Sequence, residues 1–213
     1  MLTVVGNLKG GTGKSTVAFN LAVWLAHDKA GVKAFDLDPQ CTLVDVNEVR
    51  IEDGYEPAFE VSTDLSELEA MAKDKKCKQH IIVDMSASNM FAMEKAISLA
   101  DRILIPIQPS QADIWSTQRF LKIVSNNIKL NSAKNKATEV LGFLNRADTH
   151  VGVRESGEAE QALQMMQGIK AMGVRLHQRT AYRRSFSEGL AVFELDPMGK
   201  ASKEMKTLAT MLD

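Results

Sequence analysis

The sequence contains no apolar run of eighteen residues or more, so no helix able to cross a bilayer is expected. Cysteine is scarce: Cys41 and Cys77 are the two present, far apart and at no metal-ligand spacing. That excludes a disulfide framework and a zinc site, and fits a cytosolic chain with reduced thiols. No stretch is rich enough in glycine, proline or serine to read as a linker, and there is no internal repeat. The expectation is therefore one domain over residues 1–213. A strand-like run, Leu2-Thr3-Val4-Val5, starts within one residue of the beginning and leaves no room for a signal peptide.

Short apolar runs alternate with amphipathic stretches. Strands are predicted over 4–6, 32–37, 80–85, 102–107, 140–144 and 174–176, with a short one over 58–61. Helices are predicted over 15–27, from 64 to about 73, through 99, over 113–128 and 159–172, and two more close the chain. Gly31 stops the first helix. Asp64 and Glu67 form a capping-box pattern. Residues 126–136 read as a polar surface connection, and 41–62 carry no clear periodicity apart from the short strand. Continuous apolar strands separated by helices argue for an α/β fold: a mostly parallel, twisted sheet with helices on both faces.

The sharpest signal is Lys9-Gly10-Gly11-Thr12-Gly13-Lys14-Ser15-Thr16, between the first strand and the first helix. Glycines let successive backbone N–H groups curl inward around phosphate oxygens, and the helix N-terminus behind them favours an anion. Lys14 would reach the β- and γ-phosphates, and the Ser15 hydroxyl would sit on Mg²⁺. The ordinary pattern places a glycine where this chain has Leu8. Here a second lysine, Lys9, precedes two glycines instead.

Three acids stand at strand ends, where ligands bind in open α/β sheets. Asp36 and Asp38, in Phe35-Asp36-Leu37-Asp38-Pro39-Gln40, alternate with Leu37 and so share one side. Asp84 ends the apolar run Ile81-Ile82-Val83, and would accept a metal-bound water.

These motifs resemble the deviant Walker A superfamily that includes ParA, MinD and the nitrogenase iron protein, and most nearly the small ParF-like partition ATPases. The resemblance implies a P-loop ATPase that uses ATP and Mg²⁺ and forms an ATP-dependent homodimer. In it Lys9 would cross to the partner's nucleotide, Asp38 would serve hydrolysis, and Asp36 would lie near the metal and lysine network. Met85-Ser86-Ala87-Ser88-Asn89 departs from the proline-containing loop of most ParA relatives. Arg102-Ile103-Leu104-Ile105-Pro106-Ile107-Gln108-Pro109-Ser110 resembles the strand and loop before the dimer-facing helix. Phe143-Leu144-Asn145-Arg146 resembles the strand end beside the adenine, which makes Asn145 and Arg146 candidate base-pocket residues.

The net charge of −1 hides an asymmetry: residues 169–206 hold eight basic residues against four acids, and the remainder is net acidic. Arg179, Arg183, Arg184, Lys200 and Lys203 are the candidate contacts to non-specific DNA. Arg179 has a second candidate role at the nucleotide or the dimer partner. The resemblance further implies a ParB-like, centromere-binding or cargo adaptor that stimulates slow hydrolysis, and a nucleoid-associated cytoplasmic location. A MinD-like membrane-cycling ATPase is the alternative. The last helix lacks bulky aromatics, so docking on the domain is expected for it rather than membrane anchoring. An iron–sulfur ATPase would need two cysteines placed for a shared cluster. Cys41 beside the acids and Cys77 in a lysine-rich stretch do not supply them.

Overall fold

The computed structural model describes residues 1–130, 137–150 and 154–212. In chain order the elements are β1 (Leu2–Val5), α1 (Lys14–Ala26), β2 (Val32–Asp36), α2 (Thr42–Glu52), β3 (Glu60–Ser62), α3 (Leu65–Lys73), β4 (His80–Asp84), α4 (Met90–Leu99) and β5 (Arg102–Ile107). They continue with α5 (Gln111–Leu130), β6 (Glu139–Ala147), α6 (Arg154–Met165), β7 (Lys170–His177), α7 (Thr180–Ser187), α8 (Val192–Leu195) and α9 (Lys200–Thr210).

Among the described residues the strands form one sheet in the order β3-β2-β4-β1-β5-β6-β7, and every pair is parallel. β1 is central, flanked by β4 and β5, so the chain leaves it at a topological switch point. Strand residues alternate between two apolar layers. Val5, Ala34, Ile82, Leu104 and Phe143 face a layer covered by α1, α2, α8 and α9. Val4, Phe35, Val83, Ile105 and Leu144 face one covered by α3, α4, α5 and α6. Burial on both faces explains why the strands read as continuous apolar runs. The last helix docks as expected: Met205 and Leu208 of α9 are fully buried in the first layer.

Several local expectations need correction. The unassigned stretch hides α2, whose inward positions are Leu43, Val46, Asn47 and Arg50. These follow helical spacing, but two of the four are polar, which conceals the apolar stripe. The strand expected over 58–61 lies at Glu60–Ser62. The helix expected over 159–172 is Arg154–Met165, and 170–172 open β7 instead. Met165, Met166, Ile169 and Met172 mimic helical spacing, but Gly168 has φ +82° and turns the chain into the edge strand. α5 extends to Leu130, so the polar connection begins later, and its remainder lies outside the described residues. Asp64 does cap α3, accepting from Ser66 N at 2.7 Å. The other half of the capping box does not close: the Glu67 carboxylate pairs with Lys33 on β2 at 2.8 Å.

Candidate functional site

The turn between β1 and α1 lies at the carboxyl ends of the central strands. Gly11 and Gly13 have φ +76° and +86°, a left-handed backbone that glycine alone adopts without strain. A Cβ on Gly13 would also lie 2.4 Å from Asn145 Nδ2. Three carbonyls of the turn are drawn aside by side chains. Lys14 Nζ donates to Lys9 O (3.2 Å), Gln108 Nε2 to Gly11 O (2.6 Å) and Asn145 Nδ2 to Thr12 O (2.6 Å). Among the described residues, no amide from Gly10 to Thr16 makes a hydrogen bond of good geometry, and the first such bond of the helix is Val17 N to Gly13 O. The result is a run of open donors at a helix N-terminus, chemically suited to an anion with several oxygens.

Lys14 is buried, and that burial pulls its pKa below the ordinary lysine value, against the opposing pull of Asp84 and Asp38. Asp84, at the end of β4, is 1% exposed, and among the described residues neither carboxylate oxygen has a hydrogen-bond partner of good geometry. Burial pushes its pKa up to about 7; the Ser15 hydroxyl and Lys14 oppose the rise, while Asp36 and Asp38 add to it. An unpaired buried carboxylate beside Ser15 is a group lacking a cation, and a magnesium ion would satisfy it. Among the described residues no three acid, His or Cys side chains could hold a metal by themselves. That suits magnesium, which is commonly held by one or two carboxylates together with phosphate oxygens and water.

Asp36 has a further task that its sequence position did not reveal. Its Oδ2 accepts from Leu43 N (2.8 Å) and Val44 N (3.2 Å), and its Oδ1 from Asp38 N (3.1 Å). It therefore caps α2 from seven residues upstream, where the formal N-cap, Cys41, offers no side-chain bond. Burial raises the Asp36 pKa, and these backbone bonds oppose the rise. Asp38 Oδ1 accepts from Gln40 N in the exposed turn beyond, close enough to Lys14 and Asp84 to influence both.

Lys9 does not project outward. Its ammonium lies 2.5 Å from Asp113 Oδ2 in the first turn of α5, and Ser110 Oγ donates to the same oxygen. Its amide donates to Asn7 Oδ1, and Asn7, fully buried, donates in turn to Pro106 O. Asn7 and Asp113 are thus site residues that the sequence reading missed, and Gln108 and Ser110, read there only as part of the segment before the dimer-facing helix, bond Gly11 O and Asp113. The available signal was that Gln108, Ser110 and Asp113 crowd the β5–α5 connection beside a prolyl strand end.

Asn145 and Arg146 do reach the loop. Arg146 has φ +56°, so the end of β6 is twisted to send the Asn145 amide onto the phosphate-loop carbonyl. Beside them a cavity of about 290 Å³ is lined by Gly13, Thr16, Asn145, Arg146, Gln178 and Tyr182. Two of the residues assigned to nucleic acid, Arg179 and Arg183, line it as well. Arg179 is held by Glu204, Nη2 to Oε1 at 2.6 Å, and Glu204 also bonds His177 Nδ1 at 2.9 Å. Arg184 pairs with Glu188 one turn along α7 at 2.9 Å. Arg183, Lys200 and Lys203 are exposed, with no acidic partner among the described residues.

Comparison with known proteins places this geometry. Residues 3–193 match the CobQ/CobB/MinD/ParA nucleotide binding domain family. "Maintenance of carboxysome distribution protein A" of Halothiobacillus neapolitanus is 27% identical over 204 residues, covering 94% of this chain and 90% of that protein. "Protein ParA" of Rhizobium radiobacter is 28% identical over 197 residues, covering 88% and 83%. Among solved structures, apo McdA of Cyanothece superposes with a TM-score of 0.73 at 21% identity, covering 98% of both chains. An ATP complex of Cyanothece McdA gives 0.72 at 20%, covering 99% of this chain and 95% of that one.

Proposed function

Because the chain belongs to the CobQ/CobB/MinD/ParA nucleotide-binding family, we propose that it is an ATP-driven positioning switch. ATP and Mg²⁺ bring two copies together, the pair holds DNA without regard to sequence, and a partner protein triggers hydrolysis and release. The observation that carries this reading is the run of open amides from Gly10 to Thr16 beside the unpaired carboxylate of Asp84. Lys14, Ser15 and Thr16 with the glycines would hold the triphosphate. Ser15 and Asp84 would hold the metal, with Asp36 setting the Asp38 turn alongside. The cavity beside Asn145 and Arg146 would take the nucleoside. Magnesium, when bound, supplies charge neutralisation at the phosphates.

Lys9 would leave Asp113 and meet the phosphates bound to the partner copy, where a cation stabilises the charge of phosphoryl transfer. Arg183, Arg184, Lys200 and Lys203 would contact the DNA backbone, with Arg179 turned toward Glu204 and the nucleoside cavity. The cargo is a plasmid, a chromosome region or a protein body, recruited through a ParB-like adaptor. One relative is named for the maintenance of carboxysome distribution, a positioning task, which supports this class. A nucleoid-associated place in the cytoplasm follows from the same reading.

The test combines light scattering on the purified chain with DNA binding in the absence and presence of ATP and Mg²⁺. The expected result is a doubling of mass with ATP and DNA binding that strengthens with it. Lipid binding driven by ATP with no DNA binding would replace this reading by a MinD-like membrane cycle.

A further inference from the structure

The C-terminal basic residues supply fewer unpaired charges than the sequence counted. Arg175 is paired with Glu160, Arg179 with Glu204 and Arg184 with Glu188. A second set of cations stands elsewhere. The connection from α3 to β4 reads Lys73-Asp74-Lys75-Lys76-Cys77-Lys78-Gln79, and all four lysines are exposed. Lys73 pairs with Glu69, but Lys75, Lys76 and Lys78 have no acidic partner among the described residues.

The acids nearby are engaged. Asp74 Oδ1 accepts from Lys76 N and Asp74 O from Cys77 N, so this acid shapes the turn that presents the lysines. Asp28 pairs with His80 at 3.2 Å. His80 N donates to Gly31 O, which brings the α1–β2 turn, with exposed Lys29, against the lysine turn.

The geometry points to this lysine turn, with Lys29 beside it, as a second contact surface for the phosphate backbone of DNA. Lysines are point charges on flexible stems, so they follow phosphates in any register and read no sequence. Residues 73–79 include no aromatic side chain, so the turn lacks the apolar body that interfacial membrane insertion needs. An anionic duplex is the occupant the turn fits best.

Its position has a consequence. The turn enters β4 at the amino end, whereas the phosphate loop and Asp84 lie at the carboxyl ends of the strands. Five residues of β4 alone put about 15 Å between the two. Two copies meeting through their phosphate loops would carry these turns on their outer ends, one duplex segment at each. Contact here does not require nucleotide.

This inference rests on the DNA reading above, and a salt titration separates the two. Binding of the full chain to a mixed-sequence duplex is measured across a salt series, with and without ATP and Mg²⁺. The variant is Lys75→Ala with Lys76→Ala and Lys78→Ala, checked for unchanged nucleotide binding. Each lost phosphate contact lowers the slope of log affinity against log salt by about 0.9, so the slope should fall by about 2–3 in both nucleotide states. The matching Lys→Arg variant should keep the wild-type slope. If the wild-type chain binds duplex and the alanine variant shows the same slope, the lysine turn is not a DNA surface. If the alanine variant loses binding to an acidic polypeptide or anionic vesicles and not to duplex, the surface is real and the assigned partner is wrong. If the wild-type chain binds no duplex in either state, the DNA reading itself falls and takes this surface with it.

Discussion

Lys9 Nζ sits 2.5 Å from Asp113 Oδ2 within the same chain, and the Asp113 side chain is fully buried. The resemblance assigns this lysine to a neighbouring subunit, but in the isolated chain its charge offsets a carboxylate that burial would otherwise leave alone. Asp113 Oδ1 has no hydrogen-bond partner among the described residues. Moving Lys9 to a second copy therefore exposes a cost at Asp113 that the new contacts must exceed.

Removal of the lysine should reveal that cost. Lys9→Ala is expected to destabilise the nucleotide-free chain by about 1–3 kcal/mol in urea unfolding. That is less than a wholly buried pair would lose, because the lysine is partly exposed. Adding Asp113→Asn should recover most of the loss. A Lys9→Ala chain as stable as wild type would show that the pair contributes nothing.

Lys14 and Asp38 should separate binding from turnover. Lys14→Ala removes a charged donor and is expected to weaken a fluorescent ATP analogue by at least about tenfold. Asp38→Ala should hold the analogue with near wild-type affinity while turnover falls by roughly 10²–10⁴. Normal turnover in Asp38→Ala would remove that acid from the hydrolytic machinery.

Asp84 predicts a dependence on pH. Its folded pKa, about 7, lies above the ordinary 3.8, so between those values the folded chain keeps a proton that the unfolded chain has released. Stability of the nucleotide-free chain should therefore fall as pH rises through that window. Asp84→Asn should be more stable than wild type at pH 8, by roughly 4 kcal/mol at most, with the difference closing toward pH 4. Thermal melts at both pH values check it; a constant difference would assign the effect to something other than this carboxyl.

Arg50 offers a test remote from the phosphates. It is fully buried, with Nη1 and Nη2 each 2.8 Å from a Glu194 oxygen and Nε on Pro57 O. A Cβ on Gly189 would meet Arg50 N at 2.6 Å, so the α7–α8 turn lies directly against α2. Arg50→Ala should cost about 3–5 kcal/mol, because Glu194 is left without its partner. Arg50→Met combined with Glu194→Leu should cost less, as read from chemical denaturation midpoints.

Much of the site was legible because its chemistry is local. Glycines that must take positive φ, a lysine and a serine that follow them, and an acid ending an apolar strand are all fixed by short-range geometry. The strands were legible because burial on both faces leaves continuous apolar runs. α2 was not, because two polar side chains on its inner face find their partners outside the helix, Asn47 Nδ2 at Phe59 O and Arg50 at Glu194. Nor was the start of β7, where methionines at helical spacing are overruled by one left-handed glycine.

The residues by themselves determined the loop that opens its amides, the strands that flank it and the layering of the fold, since each follows from backbone freedom and apolar period. Which charges remain available was decided by folding alone. Lys9 is drawn onto Asp113, Arg179 onto Glu204 and Asp36 onto the start of α2, while Asp84 is left buried with no hydrogen bond of good geometry among the described residues. Those pairings join groups far apart along the chain, and the electrostatic energy of each depends on distance and burial, which a linear order of residues does not contain.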